Sequence, residues 1–328
     1  MQAVTRDALV NRAKELLSDG TVSRVLGYKA GEFSYDVTPG VFTDAESLDR
    51  DFVFGSFCGA NFSKYLVGET LKEGKILVFL KPCDTYSFNQ LLTEHRFDRE
   101  KVYAIGIPCN GMADSDKIKA IAGDGIISVK ETAEGFEVET LYNGTVKVSS
   151  EEAMEGRCES CKSKKHVAYD ELIGEDGDLL DSNRFDEVAK LEAMTPDERF
   201  AFWQGELSKC IRCNACRDIC PACTCERCVF NNPDSGVENK AITDSFEEKM
   251  FHIIRAFHVA GRCTDCGECS RVCPQNIPLH LLNRKFIKDI NSFYGDYQAG
   301  AEVGSRAPLV DYKLGDLEAS DAVKGGNN

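Results

Sequence analysis

The first half of the chain alternates apolar runs with stretches of helical periodicity. Apolar residues recur at helical spacing from Thr5 to Leu17, and Gly20 follows as a stop signal, so the chain is predicted to open with a helix. Three apolar runs come next, over residues 52–57, 75–80 and 102–107. We expect each run to be a buried strand, and helices to follow the first two over about 61–72 and 84–95.

Strands that alternate with helices of this length form β-α-β units on a parallel sheet. Each predicted strand ends just before a cysteine, at Cys58, Cys83 and Cys109. The three cysteines are therefore expected at the carboxyl edge of the sheet, where open α/β sheets place their ligands.

The pattern changes after residue 125. Residues 136–141 and 145–148 alternate around Asn143-Gly144, which predicts a β-hairpin, and residues 149–185 read as a charged excursion over the surface. Thr195, Pro196 and Glu198 then form the capping box of a new helix. We predict an α/β domain with a mostly parallel sheet over 1–190, a second, mainly α-helical domain over 191–295, and an extended tail or docking strap over 296–328.

Composition narrows the class of protein. The net charge of −15 disfavours nucleic acid as a partner, and no apolar run approaches the ~20 residues that span a bilayer. The first residues lack a signal-peptide layout, so a cytoplasmic protein is expected. In a reducing compartment, sixteen cysteines with clustered C-x2-C spacing indicate metal ligation rather than disulfides.

Two copies of the motif C-x2-C-x2-C-x3-C-P carry the strongest chemical signal. They occupy residues 210–221 and 263–274. In two-cluster ferredoxins three cysteines of one run hold one [4Fe-4S] cluster and the fourth crosses to the other. The first cluster is thus assigned Cys210, Cys213, Cys216 and Cys273, and the second Cys263, Cys266, Cys269 and Cys220. A pair of structural zinc knuckles is the alternative, although zinc sites more often show two C-x2-C pairs.

The other cysteines leave more than one interpretation open. Cys223, Cys225 and Cys228 are either a further metal site or buried small residues. In the first domain, a third [4Fe-4S] cluster would take Cys83, Cys109, Cys158 and Cys161 and leave out Cys58. Taken singly, each of these is more often a core cysteine than a ligand.

The first-domain motifs resemble a known family. The residues that carry the resemblance are Lys81-Pro82-Cys83-Asp84, Ile105-Gly106-Ile107-Pro108-Cys109 and Cys158-x2-Cys161 with Leu172-Ile173-Gly174. They are similar to the beta subunits of deazaflavin-coenzyme-reducing hydrogenases and related formate dehydrogenases, over roughly residues 50 to 175. The dicluster half matches the ferredoxin domain that is joined to some members of this family.

The resemblance implies an iron-sulfur flavoprotein in which FAD passes electrons between clusters and ferredoxin, NAD(P) or the deazaflavin coenzyme. It also implies a complex with a hydrogenase, formate dehydrogenase or heterodisulfide-reductase-type partner. A flavin pyrophosphate would favour helix N-termini at the sheet edge. The candidates there are residues 59–61, Lys81, Asp84, Thr85, Asn110 and Gly111, which otherwise cap helices or, for Lys81, face solvent.

The leading hypothesis is a cytoplasmic electron-transfer subunit that relays single electrons through two clusters and a third. Its rival is a flavin-dependent oxidoreductase subunit whose first domain exchanges electrons with ferredoxin, NAD(P) or a deazaflavin; a metal-stabilised adaptor is a third reading. Catalytic side chains of the common kinds do not stand out. His252 and His258, on a helical pattern, are expected to pack or contact a partner.

Overall fold

The chain forms two compact units. The computed structural model describes residues 4–177, 183–231, 245–311 and 313–315. The first unit comprises residues 1–85 and 97–182, and the second comprises residues 86–96 and 183–328. Each unit has hydrophobic cores of its own.

The first unit is an α/β structure. Its helices are α1 (Arg6–Ser18), α2 (Ala45–Asp51), α3 (Ser63–Glu69), the start of α4 (Pro82–Thr93), α5 (Ser115–Ala122) and α6 (Gly156–Glu159). Its strands are β1 (Arg24–Ala30), β2 (Val37–Phe42), β3 (Ile76–Leu80), β4 (Val102–Gly106), β5 (Ile126–Thr132), β6 (Gly135–Thr140), β7 (Gly144–Ser149) and β8 (Glu171–Leu172).

The main sheet is mostly parallel, with the strand order β2-β1-β3-β4-β8. The pairs β1–β3, β3–β4 and β4–β8 are parallel, and only the β1–β2 pair is antiparallel. Every residue of β3 is buried, as expected of a central strand covered on both faces. The predicted α1, β3, β4 and α4 are all present.

A second, antiparallel sheet has the order β5-β6-β7. It contains the predicted hairpin, in which Gly144 pairs with Thr140 directly after Asn143. Phe136, Val138 and Val148 pack with Ile118 of α5, so this sheet has a core separate from that of the main sheet.

Two of the predictions were wrong. Residues 53–57 form neither helix nor strand: Phe52 makes an isolated antiparallel bridge to Lys29, and the chain then turns at Gly55. Cys58 therefore does not follow a strand. The segment 149–185 is not wholly a surface excursion either, because it supplies β8, which pairs with the end of β4 at Gly106.

The elements described in the second unit are helical. They are the end of α4, then α7 (Asp186–Ala193), α8 (Pro196–Ser208), α9 (Ala215–Asp218), α10 (Ser245–Val259), α11 (Glu268–Arg271) and α12 (Leu279–Tyr294), with short 3-10 turns over 229–231 and 308–310. The predicted capping box of α8 is present: the Thr195 hydroxyl accepts from the Glu198 amide, and the Glu198 carboxylate accepts from the Thr195 amide.

The tail that follows α12 packs against the second unit as far as it is described. Tyr297 donates its hydroxyl proton to the Gly261 carbonyl at 3.0 Å, and the Gln298 amide donates to the Thr264 carbonyl at 3.3 Å. Residues 316–328 of the predicted tail lie outside the described residues. Within the described ranges, the chain has no helix whose length and apolar character would suit a membrane crossing.

Candidate metal centres

The two cysteine motifs of the second unit have the same backbone geometry. In each, the residue before the second cysteine and the residue after it take left-handed conformations: Arg212 (φ 54°) and Asn214 (φ 63°), then Asp265 (φ 62°) and Gly267 (φ 70°). A one-turn helix follows in both, α9 carrying Cys216 and α11 carrying Cys269. The backbones of the two loops therefore follow the same curled path.

The structure brings together the four cysteines assigned to the first cluster. One pocket is lined by Cys210, Cys213, Cys216 and Cys273, the last of these coming from the other motif. Burial raises the pKa of Cys216 to about 12; Arg255 opposes this rise, and the nearby thiols of Cys269, Cys273 and Cys213 add to it. The fourth cysteine of the second motif thus reaches the first loop.

The cysteines assigned to the second cluster are also neighbours. The pKa values of Cys263, Cys266 and Cys269 are all raised, chiefly by burial, and Cys220 contributes to the rise in each case. Cys220 itself is buried and packs with Cys263. Buried thiols resist ionisation when no positive charge is near them. A bound metal would supply that positive charge, and thiols that coordinate a metal are deprotonated.

A buried ion-pair triad holds the second loop in place. Asp265 lies between two guanidinium groups, 2.6 Å from Arg184 Nε and 3.0 Å from Arg284 Nε. Burial raises the pKa of Asp265, but the two arginines outweigh burial and lower it. The loop that carries Cys263 and Cys266 is thereby tied to the chain before α7 and to α12.

The predicted third set of cysteines also converges, in the first unit. Cys83 lies at the start of α4, Cys109 follows β4, and Cys158 and Cys161 flank the end of α6. Burial raises the pKa of Cys83, with contributions from Asp84, Cys161 and Cys109 against that of Lys81. Burial likewise raises the pKa of Cys158 to about 12, and Arg157 opposes the rise.

The donor set in all three places fits a cubane, since a [4Fe-4S] cluster takes one thiolate at each of its four iron corners. Among the described residues, no three His, Cys, Asp or Glu side chains are grouped closely enough to bind a single metal ion. A cubane does not need such a group, because its four thiolates surround a cluster rather than one ion.

A separate cavity of about 710 Å³ lies in the first unit, within the ~300–1,000 Å³ typical of ligand sites. It opens at the carboxyl ends of β3 and β4. Lys81, Asn110 and Gly111, three of the residues predicted to bind flavin, line it together with Cys58 and Cys109. Its size fits a flavin.

Lys81, Asp84 and Thr85, which are also predicted flavin ligands, bond to the protein itself. Lys81 Nζ donates to the Tyr28 hydroxyl at 2.6 Å and to the Ala60 carbonyl at 2.8 Å, and it pairs with Asp84 at 2.8 Å. The Thr85 hydroxyl donates to the Pro82 carbonyl and accepts from the Val167 amide. Within the cavity, Asn110 and Gly111 are therefore the better-placed of the predicted residues.

The cysteines outside the three sets differ from one another in exposure. Cys58 is buried, with a pKa raised to about 12 by burial. Cys223 packs beside Cys220, Cys228 packs in the core around Leu207, and Cys225 is exposed.

Two side chains make contacts with the cysteine motifs that the sequence interpretation did not predict, although it expected His252 to pack or to contact a partner. His252 Nε2 lies 3.2 Å from Cys210 Sγ, and Arg255 is buried among the cysteines of both motifs. Both lie on α10, between the motifs in sequence. The helical periodicity of residues 244–260 predicted the helix, but nothing in it indicated which face meets the cysteines.

Known proteins with similar sequences agree with the cysteine motifs. Residues 206–277 match the family described as "4Fe-4S dicluster domain". The chain is 26% identical to the F420-dependent formate dehydrogenase subunit beta of Methanocaldococcus jannaschii, over 84% of this chain and 87% of that protein. It is also 26% identical to the F420-dependent formate dehydrogenase 1 subunit beta of Methanococcus maripaludis, over 90% of this chain and 92% of that protein.

A solved structure of the F420-reducing [NiFe] hydrogenase complex from Methanosarcina barkeri contains a similar chain. The similarity covers 47% of this chain and 58% of that one, with 14% identity and a TM-score of 0.35, which is too low to support an argument. The sequence matches are what confirm the predicted resemblance: the chain is similar over most of its length to formate dehydrogenase beta subunits and is an iron-sulfur protein of the electron-transferring oxidoreductase kind.

Proposed function

We propose that the chain binds three [4Fe-4S] clusters and relays single electrons between them as a subunit of a cytoplasmic oxidoreductase complex. Two clusters belong to a mainly α-helical dicluster ferredoxin-like domain over 191–295 and the third to the α/β domain over 1–190. The observation that carries the proposal is the pocket lined by Cys210, Cys213, Cys216 and Cys273. It combines three cysteines of one motif with the fourth of the other, as in two-cluster ferredoxins.

The third cluster is supported by the convergence of four thiols in the first unit. Cys83 and Cys109 follow adjacent parallel strands, which brings them to one edge of the sheet. Cys158 and Cys161 come from a separate segment. Their nearness to the first two is supported by electrostatics, since Cys161 raises the pKa of Cys83 and Cys109 raises that of Cys158. Cys58 stands apart, since it is buried with its Sγ 3.8 Å from the Val53 carbonyl.

The iron content of anaerobically purified protein tests the number of clusters. Three cubanes require about twelve iron atoms and as many acid-labile sulfides per chain, and two require about eight. Replacing Cys83 or Cys109 with Ser should remove about four irons. The matched control, Cys58→Ser, should remove none. Zinc without sulfide would reject the proposal.

A flavin-dependent reaction in the first unit is a second candidate, favoured by the cavity beside Cys109. Named relatives depend on the deazaflavin coenzyme F420, so the proposed exchange is between the third cluster, a flavin and such a coenzyme. FAD would supply the step between paired and single electrons. Asn110 and Gly111 would contact it, and the Lys81 network would form one wall.

Flavin extraction and a visible spectrum separate this candidate from a pure relay. Release of a flavin when the protein is denatured would support this candidate. So would a lower amount of bound flavin per chain in Asn110→Ala. Protein with about twelve irons per chain and no flavin would support the electron relay and reject the flavin-dependent reaction. The proposed partners are the other subunits of a formate dehydrogenase, hydrogenase or heterodisulfide-reductase-type complex, and co-purification from the native source identifies which.

A further inference from the structure

Helix α10 lies between the two cysteine motifs in sequence and packs against α8 and α12. Its described residues place two polar side chains toward the cysteines, His252 and Arg255, which are 2% and 3% exposed. Residues three apart share one face of a helix. Neither side chain belongs to the C-x2-C-x2-C-x3-C-P motifs, and no comparison assigns either a role.

His252 contacts a single ligand of the first cluster. Its Nε2 lies 3.2 Å from Cys210 Sγ, whereas its Nδ1 has no hydrogen-bond partner in the described part of the chain. We assign the ring proton to Nε2, because that nitrogen faces the sulfur and the other faces no acceptor. His252 then donates a hydrogen bond to Cys210 Sγ.

Arg255 is placed between the two sets of cysteines. Its Nη2 donates to the Cys216 carbonyl at 2.9 Å, in the first motif. Its side chain also forms a hydrogen bond with Cys269, in the second motif. The guanidinium is buried and lies near the thiols of Cys220, Cys216 and Cys223.

The charge of Arg255 has no carboxylate to balance it. Among the described residues it forms no ion pair with Asp or Glu, and its Nε has no partner. Burying a cation without a counter-charge is unfavourable, so a nearby anion would stabilise Arg255. The four inorganic sulfides offset most of the charge of the irons, and four thiolates outweigh the small positive charge that is left on the [4Fe-4S] core, so each ligated cluster would be an anion that becomes more negative on reduction.

We propose that α10 sets the reduction potentials of both clusters, with Arg255 stabilising the reduced state of each and His252 that of the first cluster only. The inference rests on the proposed function, since it requires both clusters to be bound. Its physical basis is that hydrogen bonds to the sulfurs and nearby positive charge raise the potential of a [4Fe-4S] cluster. His252 and Arg255 are positioning residues here, without a ligand role.

The test is a redox titration followed by electron paramagnetic resonance on anaerobically purified full-length protein, with iron and sulfide measured on each sample. Arg255→Gln keeps a donor for the Cys216 carbonyl and removes the charge, so both midpoint potentials should become more negative. Arg255→Lys keeps the charge and should leave both near their original values. His252→Phe should lower one midpoint, and His252→Gln, which retains a donor, should restore it. Ile253→Ala, an exposed neighbour on α10, is the control.

The outcomes separate the inference from the proposed function. Original protein without cluster iron would refute the proposed function. Full iron content with unchanged midpoints in Arg255→Gln and His252→Phe would overturn the inference alone. A shift of a single midpoint in Arg255→Gln would overturn the shared role of this residue, and so would loss of iron from Arg255→Gln and Arg255→Lys alike.

Discussion

Lys81 and Asp84 form a buried ion pair of 2.8 Å on either side of Cys83, and their side chains are 3% and 1% exposed. Lys81 Nζ also donates to the Tyr28 hydroxyl and the Ala60 carbonyl. Burial lowers the pKa of Lys81, but Asp84, Tyr28 and Cys83 raise it well above its ordinary value. The charged lysine thus holds together three groups beside Cys83, a proposed cluster ligand.

Replacing Lys81 with Met should strongly destabilise the first unit. The change removes the cation that pairs with the buried Asp84 carboxylate, and breaking a buried ion pair in this way costs about 3–5 kcal/mol. Urea unfolding followed by circular dichroism measures this loss. Lys29→Met is the matched control, because Lys29 pairs with Asp51 at 3.8 Å and is half exposed. Equal stability of the two variants, with flavin lost only from Lys81→Met, would assign Lys81 to cofactor binding instead.

The crossing of ligands between the two motifs can be tested by pairs of substitutions. Cys273→Ser should remove about four irons, and adding Cys210→Ser should remove no more, because both cysteines belong to one cubane. Adding Cys269→Ser to Cys273→Ser should remove about eight, since those two belong to different cubanes. The exposed Cys225 provides the control substitution to Ser, which should keep all the iron. The reverse pattern would mean that each motif holds its own cluster.

Glu94 should make stability depend on pH. It accepts from Arg262 at 2.8 and 2.6 Å and from the hydroxyl of Thr224 at 3.0 Å. Burial raises the pKa of Glu94, but these partners outweigh burial and lower it from its ordinary value of 4.5. Because the pKa is lower in the folded state, the stabilisation is present above pH 4.5 and is lost as the pH falls below it.

At pH 7, Glu94→Gln should cost about 1.5–3 kcal/mol, the range for hydrogen bonds to a charged group. Urea unfolding from pH 7 to pH 4 should show the gap between original protein and variant narrowing as the pH passes below 4.5. Glu46→Gln, at a side chain 90% exposed, should show no gap at either pH. A gap for Glu94→Gln that stays constant with pH would contradict the assignment.

His166 ties a separate segment to the end of β3. Its side chain is fully buried, with Nδ1 2.5 Å from Asp176 Oδ1 and Nε2 2.9 Å from the Leu80 carbonyl. His166→Phe should remove these two bonds and cost about 1–3 kcal/mol, at about 0.5–1.5 kcal/mol for each bond. The Leu80 carbonyl keeps the hydrogen bond from the Ile107 amide. Thermal unfolding would detect the loss, and Tyr169→Phe, at a half-exposed neighbour, should be close to neutral. No change in His166→Phe would mean that water replaces both bonds.

Sequence patterns predicted the central strands because nearly all of their residues are buried. Residues of β3 and β4 are almost all apolar, and the hairpin carries Asn-Gly at its turn. The edge strand β2 was missed since it contains Pro39 and Gly40, which weaken strand signals and are tolerated at a sheet edge. The two-residue β8 is too short to show any periodicity at all.

The run 52–57 misled because buried aromatic residues also occur in turns. Phe52 packs against Phe42 and Phe79, while the backbone after it bends so that the Ser56 amide and hydroxyl donate to Glu131. For the cysteines, spacing was informative because three of the four proposed ligands of each C-terminal cluster come from one short motif. Which side chains of α10 reach the sulfurs depends on how the helix packs, which spacing does not encode.

The left-handed residues of the two cysteine loops link iron supply to folding. Arg212 is not a glycine, and its left-handed conformation costs about 1–2 kcal/mol, whereas Asn214 and Asp265 adopt this conformation at a lower cost. The bonds from thiolate to iron are the natural source of that energy, as in metal sites whose ligands come together only on binding. Folding of the two loops and insertion of the clusters would then occur together. A cell short of iron would accumulate full-length chains whose C-terminal half has not folded.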